Sequence, residues 1–302
     1  MWTLPIAMGI GALGYRWIEH LAFLTPIFIF VMLFLTFCRI DPHDLQPHWG
    51  HLWLLLIELG GAVVAYYLVL PFSPIAAEGA MVCVICPTAT AAAVVTGKLH
   101  GNMASITTYT LICNIAVALA VPILFPLVTE NSGMDFWTAF IRIMAKVFPL
   151  LICPFLLATL LRYCWRRMHA RIAAVSGVAF YLWAVGLSIV TAQTVHSILN
   201  RPTGSYAAVI WMILTSLFVC VLQFWVGKHI GTRYADRIAC GQALGQKNTL
   251  LAIWMTQVYL NPFSSLSPGL YVIWQNTFNS WQLWREQRKL MDPCEAEKAR
   301  SC

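Results

Sequence analysis

Apolar runs of roughly twenty residues follow one another along most of this chain, divided by short polar connections, and a lipid bilayer is the solvent such a pattern fits. Only 10% of the residues are charged and 60% are hydrophobic, with a mean hydropathy of +0.72. A soluble domain carries about a quarter charged residues, because it must cover its core with a polar surface. Here too little polar sequence lies between the runs to build one. The expected fold class is an all-α polytopic membrane protein with the lipid bilayer as its first partner.

Windows between polar breaks place spans near 2–15, 21–38, 52–71, 75–98, 102–129, 136–162, 171–199, 205–228, 233–260 and 265–284. The first is short, about 22 Å of helix, so it must tilt or thin the bilayer around it. It lacks a basic leader region, which argues against a cleaved signal peptide. Assigning the connections alternately to two faces puts Arg39, Lys98, Arg162, Arg166, Arg167, Arg171, Lys228, Arg233, Arg237, Arg285, Arg288, Lys289, Lys298 and Arg300 on one side. Only Arg16 and Arg201 fall on the other. Lys and Arg accumulate in the cytoplasm, and one span missed or invented would scramble the partition. It therefore supports about ten spans in the cell membrane with both termini cytoplasmic. The loops near 72–74, 130–135 and 261–268 then face outward, with Glu130 and Asp135 among their residues.

The formal charge of +7 is spread over these connections rather than gathered with exposed aromatics, so it marks topology and implies no nucleic-acid partner. Cys38, Cys83, Cys86, Cys113, Cys153, Cys220 and Cys240 lie in or beside apolar runs, where they serve as small packing residues. Cys83 and Cys86 put two thiols on one helical face, and neither redox chemistry nor a cofactor is expected of them. His43, His48 and His51 crowd one connection, but no cysteine or regular ligand spacing accompanies them there. A solvated loop is expected, with no metal. No span carries a paired-histidine, Asp-Asp or Ser/His constellation, so the chain is not expected to be an enzyme.

Two spans are interrupted. Pro87 stands in the middle of the fourth, and the ninth contains the polar run Gly241-Gln242-Ala243-Leu244-Gly245-Gln246-Lys247-Asn248. Proline removes a helical hydrogen bond and glycine weakens a helix, so both should be broken helices. Non-helical backbone at membrane depth survives only where protein or a water-filled cavity satisfies it. The breaks are five spans apart, and an odd number of spans per repeat inverts the second half. Interruptions in corresponding spans point to a transporter's substrate site. The expected organisation is two inverted five-helix repeats, 1–132 and 133–284, with crossed broken helices and a cytoplasmic tail, 285–302.

These residues resemble the bile acid:sodium symporter family. Cys86-Pro87-Thr88-Ala89-Thr90, followed by Lys98-Leu99-His100-Gly101-Asn102, is similar to that family's fourth-span signature. Gly245-Gln246-Lys247-Asn248-Thr249 is similar to its ninth-span motif, and Trp274-Gln275-Asn276-Thr277-Phe278-Asn279 to its last-span pattern. The resemblance implies a panel bundle of the first, second, sixth and seventh spans, a core bundle in which the broken helices cross, and sodium-coupled uptake of an organic anion. It also sets Asn276 beside the crossing, above the other intramembrane amides Asn114, Gln193, Gln223, Gln257, Gln275 and Asn279, which read as glue between helices.

The sequence departs from the family at sodium. Ungapped matching puts Ala92, Ala93, Ile106, Thr110 and Ala243 at the first sodium site, and of these side chains only Thr110 offers the oxygen a hard cation needs. At the second site stand Lys247 and, from the third span, Glu58. An unpaired charge at membrane depth costs at least about 2.5 kcal/mol, so each is a reason to expect the other nearby. Arg142 and Lys146, one turn apart in the sixth span, are further basic residues that attract an anion or snorkel to headgroups.

The expected function is a secondary transporter moving a small organic anion by alternating access, not coupled to sodium. Thr88, Thr90, Thr110, Lys247, Asn248 and Asn276 are the candidate binding residues at the crossing, with Glu58, Arg142 and Lys146. The half-helix N-termini near Thr88 and Asn248 supply positive partial charge. Proton coupling through Glu58 and Lys247, or facilitated diffusion, fits the substitutions better than sodium. The alternatives are a metalloid permease, as in related arsenite carriers that use a fourth-span thiol where Cys86 lies, and a non-transporting membrane sensor or scaffold.

Overall fold

The computed structural model describes residues 3–40, 42–128, 135–175, 177–200 and 206–291. Among them the chain is helical, with an isolated bridge in place of any strand. α1 (Thr3–Leu13) leads through α2 (Tyr15–Ile18) and a 3-10 turn (Glu19–Leu24) into α3 (Thr25–Phe37). α4 (Trp49–Val69) is capped by His48, which accepts the Gly50 N–H, and α5 (Pro74–Ile85) by Ser73, which accepts that of Ala76. After a break come α6 (Ala92–Lys98), α7 (Met103–Val128) and α8 (Phe136–Cys164), the last capped by Asp135. α9 (Arg166–Ala174), α10 (Val178–Leu199), α11 (Tyr206–Arg233), α12 (Arg237–Gly245), α13 (Thr249–Tyr259) and α14 (Leu266–Met291) complete the chain.

Among the described residues, six continuous helical stretches are long and apolar enough to cross a membrane: Tyr15–Phe37, Trp49–Val69, Met103–Val128, Phe136–Cys164, Val178–Leu199 and Tyr206–Arg233. Trp17, Leu68, Phe218 and Trp225 are exposed on their outer faces. Large contiguous apolar surfaces of this kind suit lipid rather than water. α1, α3, α8 and α10 pack on one another, α4, α5, α11, α12 and α14 form a second group, and α7 lies between α4, α6, α8 and α12.

Small residues let the second group pack closely. A Cβ added to Gly227 would stand 2.3 Å from the Cys240 carbonyl oxygen, so α11 and α12 meet backbone to backbone there. A Cβ on Gly245 would stand 2.3 Å from the Phe224 ring.

Several expected boundaries change. The seventh span does not begin at 171: α9 is a separate helix with arginines on its polar face, and the long apolar helix starts at Val178. α12 runs unbroken through Gly241 to Gly245, so the ninth-span interruption is confined to 246–248. Gly241 does not weaken the helix into a break. It provides room for the Lys228 side chain, whose Cγ would lie 2.6 Å from a Cβ there. Glu130, Arg201, Lys298 and Arg300, and the repeat boundary at 132, lie outside the described residues.

Candidate functional site

The two interruptions meet. Pro87 deprives the chain of one helical donor, and the backbone leaves α5 at Cys86, runs extended to Thr88 and turns into α6 at Ala91. Across from it, 246–248 is extended too. The Ala89 N–H donates to the Gln246 carbonyl at 2.8 Å, and the Asn248 N–H donates to the Pro87 carbonyl at 2.8 Å. Thr88 and Lys247 thus pair as an antiparallel bridge, each break supplying the partners the other lacks.

Side chains satisfy most of what remains. The Thr88 hydroxyl donates to the Ala243 carbonyl at 2.7 Å, and the Tyr271 hydroxyl to that of Gly245 at 2.9 Å, closing the end of α12. Asn248 caps α13 by accepting the Leu251 N–H. The Cys86 thiol donates to the Asn248 carbonyl at 2.9 Å. Gln275 of α14 holds the Lys247 backbone from both sides, accepting its N–H at 2.9 Å and donating to its carbonyl at 3.3 Å.

Lys247 and Glu58 form an ion pair beside the bridge. Nζ of Lys247 lies 2.7 Å from Oε1 of Glu58, and the two side chains are 1% and 0% exposed. Tyr109 donates to the other carboxylate oxygen, and the Cys113 thiol lies 3.2 and 3.3 Å from the two oxygens. Glu58 is therefore met by an ammonium, a phenol and a thiol, with the ammonium as its counter-charge. Two charges that would each be prohibitive alone become tolerable because the hydrogen bonds complete the pairing.

The other sequence candidates are placed differently. Thr90 lies half-buried in the first break. α6 begins at Ala92, so its N-terminus is not at Thr88. The Thr110 hydroxyl donates to the Ile106 carbonyl of its own helix. Arg142 and Lys146 are exposed on α8. The Asn276 amide donates to the Val272 carbonyl within α14, and it is Gln275, one residue earlier and about 100° around the helix, that bonds to Lys247.

Tyr109 and Cys113 were missed, although their four-residue spacing puts them on one face of an apolar helix. Gln275 read as ordinary helix glue. Replacing it with Leu should cost about 1–3 kcal/mol, because the Lys247 N–H loses its partner while the Lys247 carbonyl still accepts the Thr249 N–H at 2.9 Å. Asn276→Leu should be close to neutral in the same thermal-unfolding measurement. Equal losses would place Asn276 at the crossing after all.

A last feature joins distant segments at the start of α4 and α12. Ser105 donates to Asp236, His51 Nε2 lies 2.9 Å from the Ser105 hydroxyl, and His48 Nε2 lies 3.2 Å from it. The expectation of a solvated histidine loop fails for His48 and His51, whose rings touch with centroids 3.8 Å apart and planes tilted by 39°, His51 being buried.

No curated protein matches the chain. A family model does match, over residues 15–274, which covers both interruptions, Glu58, Lys247 and the first part of α14. The match is to transporters of the bile acid:sodium symporter type, in keeping with the all-helical, membrane-compatible architecture, and the chain belongs to the SBF-like CPA transporter family.

Proposed function

We propose that this membrane transporter moves a small organic anion by alternating access and is not driven by sodium. The observation that carries the reading is the Lys247–Glu58 pair, 2.7 Å apart and fully buried where the two broken segments exchange hydrogen bonds. A fixed ammonium at this place does the electrostatic work of a bound cation: it neutralises the carboxylate without an ion having to enter. When Glu58 takes a proton or turns away, Lys247 and the N-terminus of α13 at Asn248 are left to attract an anion. Exposed Arg142 and Lys146 on α8 raise the anion's concentration at the outer mouth.

In this reading the fold is two inverted five-helix repeats, 1–132 and 133–284, with 285–302 as a tail and both termini cytoplasmic. The group α1, α3, α8 and α10 rocks against the group that holds the crossing. Support comes from the interhelical packing, the paired breaks and the one-sided basic residues. The metalloid alternative draws less support, because the Cys86 thiol is fully buried and bonded to the Asn248 carbonyl.

Proteoliposomes containing the full chain test this with a panel of radiolabelled carboxylates and sulfonates. Uptake of at least one anion should be unchanged when external sodium is replaced by choline, should respond to an imposed pH gradient, and should be lost in Lys247→Gln. An absolute requirement for sodium would defeat the reading. So would transport confined to uncharged metalloids.

A further inference from the structure

Three donor atoms from two distant parts of the chain converge where α4 and α12 begin. His48 Nε2 lies 3.4 Å from Asp236 Oδ2, and Cys240 Sγ lies 3.9 Å from the same oxygen. All three fall within 4.8 Å of one another. Ligands held about 2.0–2.3 Å from one tetrahedral zinc stand roughly 3.3–3.8 Å apart, so two of the three separations are already near those of a shared ion. The third needs a side-chain adjustment of about 1 Å on that geometry.

The local backbone places these groups deliberately. Asp236 is the N-cap position of α12 and Cys240 lies one turn further on, so both project from one side of the helix start. Ala235, just before them, has φ 54°, a left-handed conformation that alanine seldom adopts. Strain of this kind persists where the surroundings demand it. A cavity of ≈ 660 Å³ lined by His100, Asn102, Asp236 and Arg237, among others, opens beside the cluster. It gives an ion from water a route to the Asp236 carboxylate.

We infer that His48, Asp236 and Cys240 form a binding site for a divalent transition metal of zinc type, with water in the fourth position. Imidazole, carboxylate and thiolate together form the donor set of a borderline-soft ion, whereas calcium and magnesium take oxygen ligands. Ser105 and His51 form the outer layer. Ser105 donates to Asp236, and His51 Nε2 contacts the Ser105 hydroxyl at 2.9 Å.

Loading moves protons in a defined way. Cys240 passes its thiol proton to water in the adjoining cavity and becomes the thiolate that binds. His48 Nδ1 accepts the Gly50 N–H at 3.1 Å, so the neutral ring carries its proton on Nε2. Coordination through Nε2 transfers that proton to Nδ1 and exchanges the helix-cap contact for the metal bond. The ion then ties the start of α4 to α12, the half-helix that leads into Lys247. The site is separate from the ion pair and does not depend on the transport reading.

The test uses the full chain in detergent, stripped with a chelator and titrated with Co²⁺. The wild type should bind one ion with the visible bands of tetrahedral cobalt and a thiolate-to-cobalt charge-transfer band in the near ultraviolet, and Zn²⁺ should displace it. Cys240→Ser should lose the charge-transfer band, and Ser105→Ala, in the outer layer, should weaken binding ~10-fold or more. Changing the exposed thiols Cys153 and Cys164 to serine should leave the spectrum intact. A wild-type spectrum without the thiolate band overturns the proposal, as does a band that survives Cys240→Ser or vanishes with the exposed thiols. Absence of the thiolate band from the wild type is decisive by itself, so a variant that misfolds does not rescue the idea.

Discussion

Lys247→Gln should destabilise the protein by about 3–5 kcal/mol, the cost of leaving one member of a buried pair without its counter-charge. Glu58 would remain 0% exposed, held by Tyr109 and Cys113, and would have to take a proton or draw in water. Glu58→Gln strands the ammonium and should be similarly costly. The double variant Glu58→Gln/Lys247→Gln should be more stable than either single one, because two amides of similar volume can bond to each other and leave no charge behind. Thermal unfolding of the four proteins in one detergent gives the coupling energy. Additive losses would show that the contact at 2.7 Å contributes no pairwise term.

Gly227→Ala should be nearly as damaging, although it adds one methyl group. The new Cβ would stand 2.3 Å from the Cys240 carbonyl oxygen and 3.0 Å from the Gly241 Cα. Those are backbone atoms that no rotamer change can move, so α11 and α12 must separate. Overpacking typically costs 1–3 kcal/mol, and a backbone obstacle puts this case at about the upper end. Gly60 supplies the control, because nothing lies within 4 Å of a Cβ added there. Gly60→Ala should be neutral or stabilising by up to about 1 kcal/mol through helix propensity. The expected readout is a lower unfolding temperature for Gly227→Ala alone. An equal response from the two variants would refute the close approach of α11 and α12.

The membrane class was legible because it rests on a sum over many residues: runs of apolar side chains separated by short polar connections need no tertiary information to be recognised. The breaks were legible for a local reason, since Pro87 and the polar stretch around Lys247 conflict with a continuous apolar helix. Glu58 and Lys247 stood out because each is expensive at membrane depth, and that cost is itself an argument for a partner. The separation of α9 from α10 was harder to see. Ala173 and Val175 continue the apolar composition toward Val178, so nothing in hydropathy marks the end of the helix.

What the sequence by itself determined was therefore the solvent, the helical class, the places where helices must fail and the charges that must be compensated. These follow from local composition and from the energy of single groups in hydrocarbon. Only the tertiary structure decided which donors complete Glu58, that Gln275 rather than Asn276 holds Lys247, and that His48 meets Asp236 and Cys240. Those choices depend on the rotation of each helix about its axis and on contacts between segments far apart in the chain. A turn of about 100° separates neighbouring side chains on a helix, so one residue of register determines whether an amide faces the crossing or its own backbone.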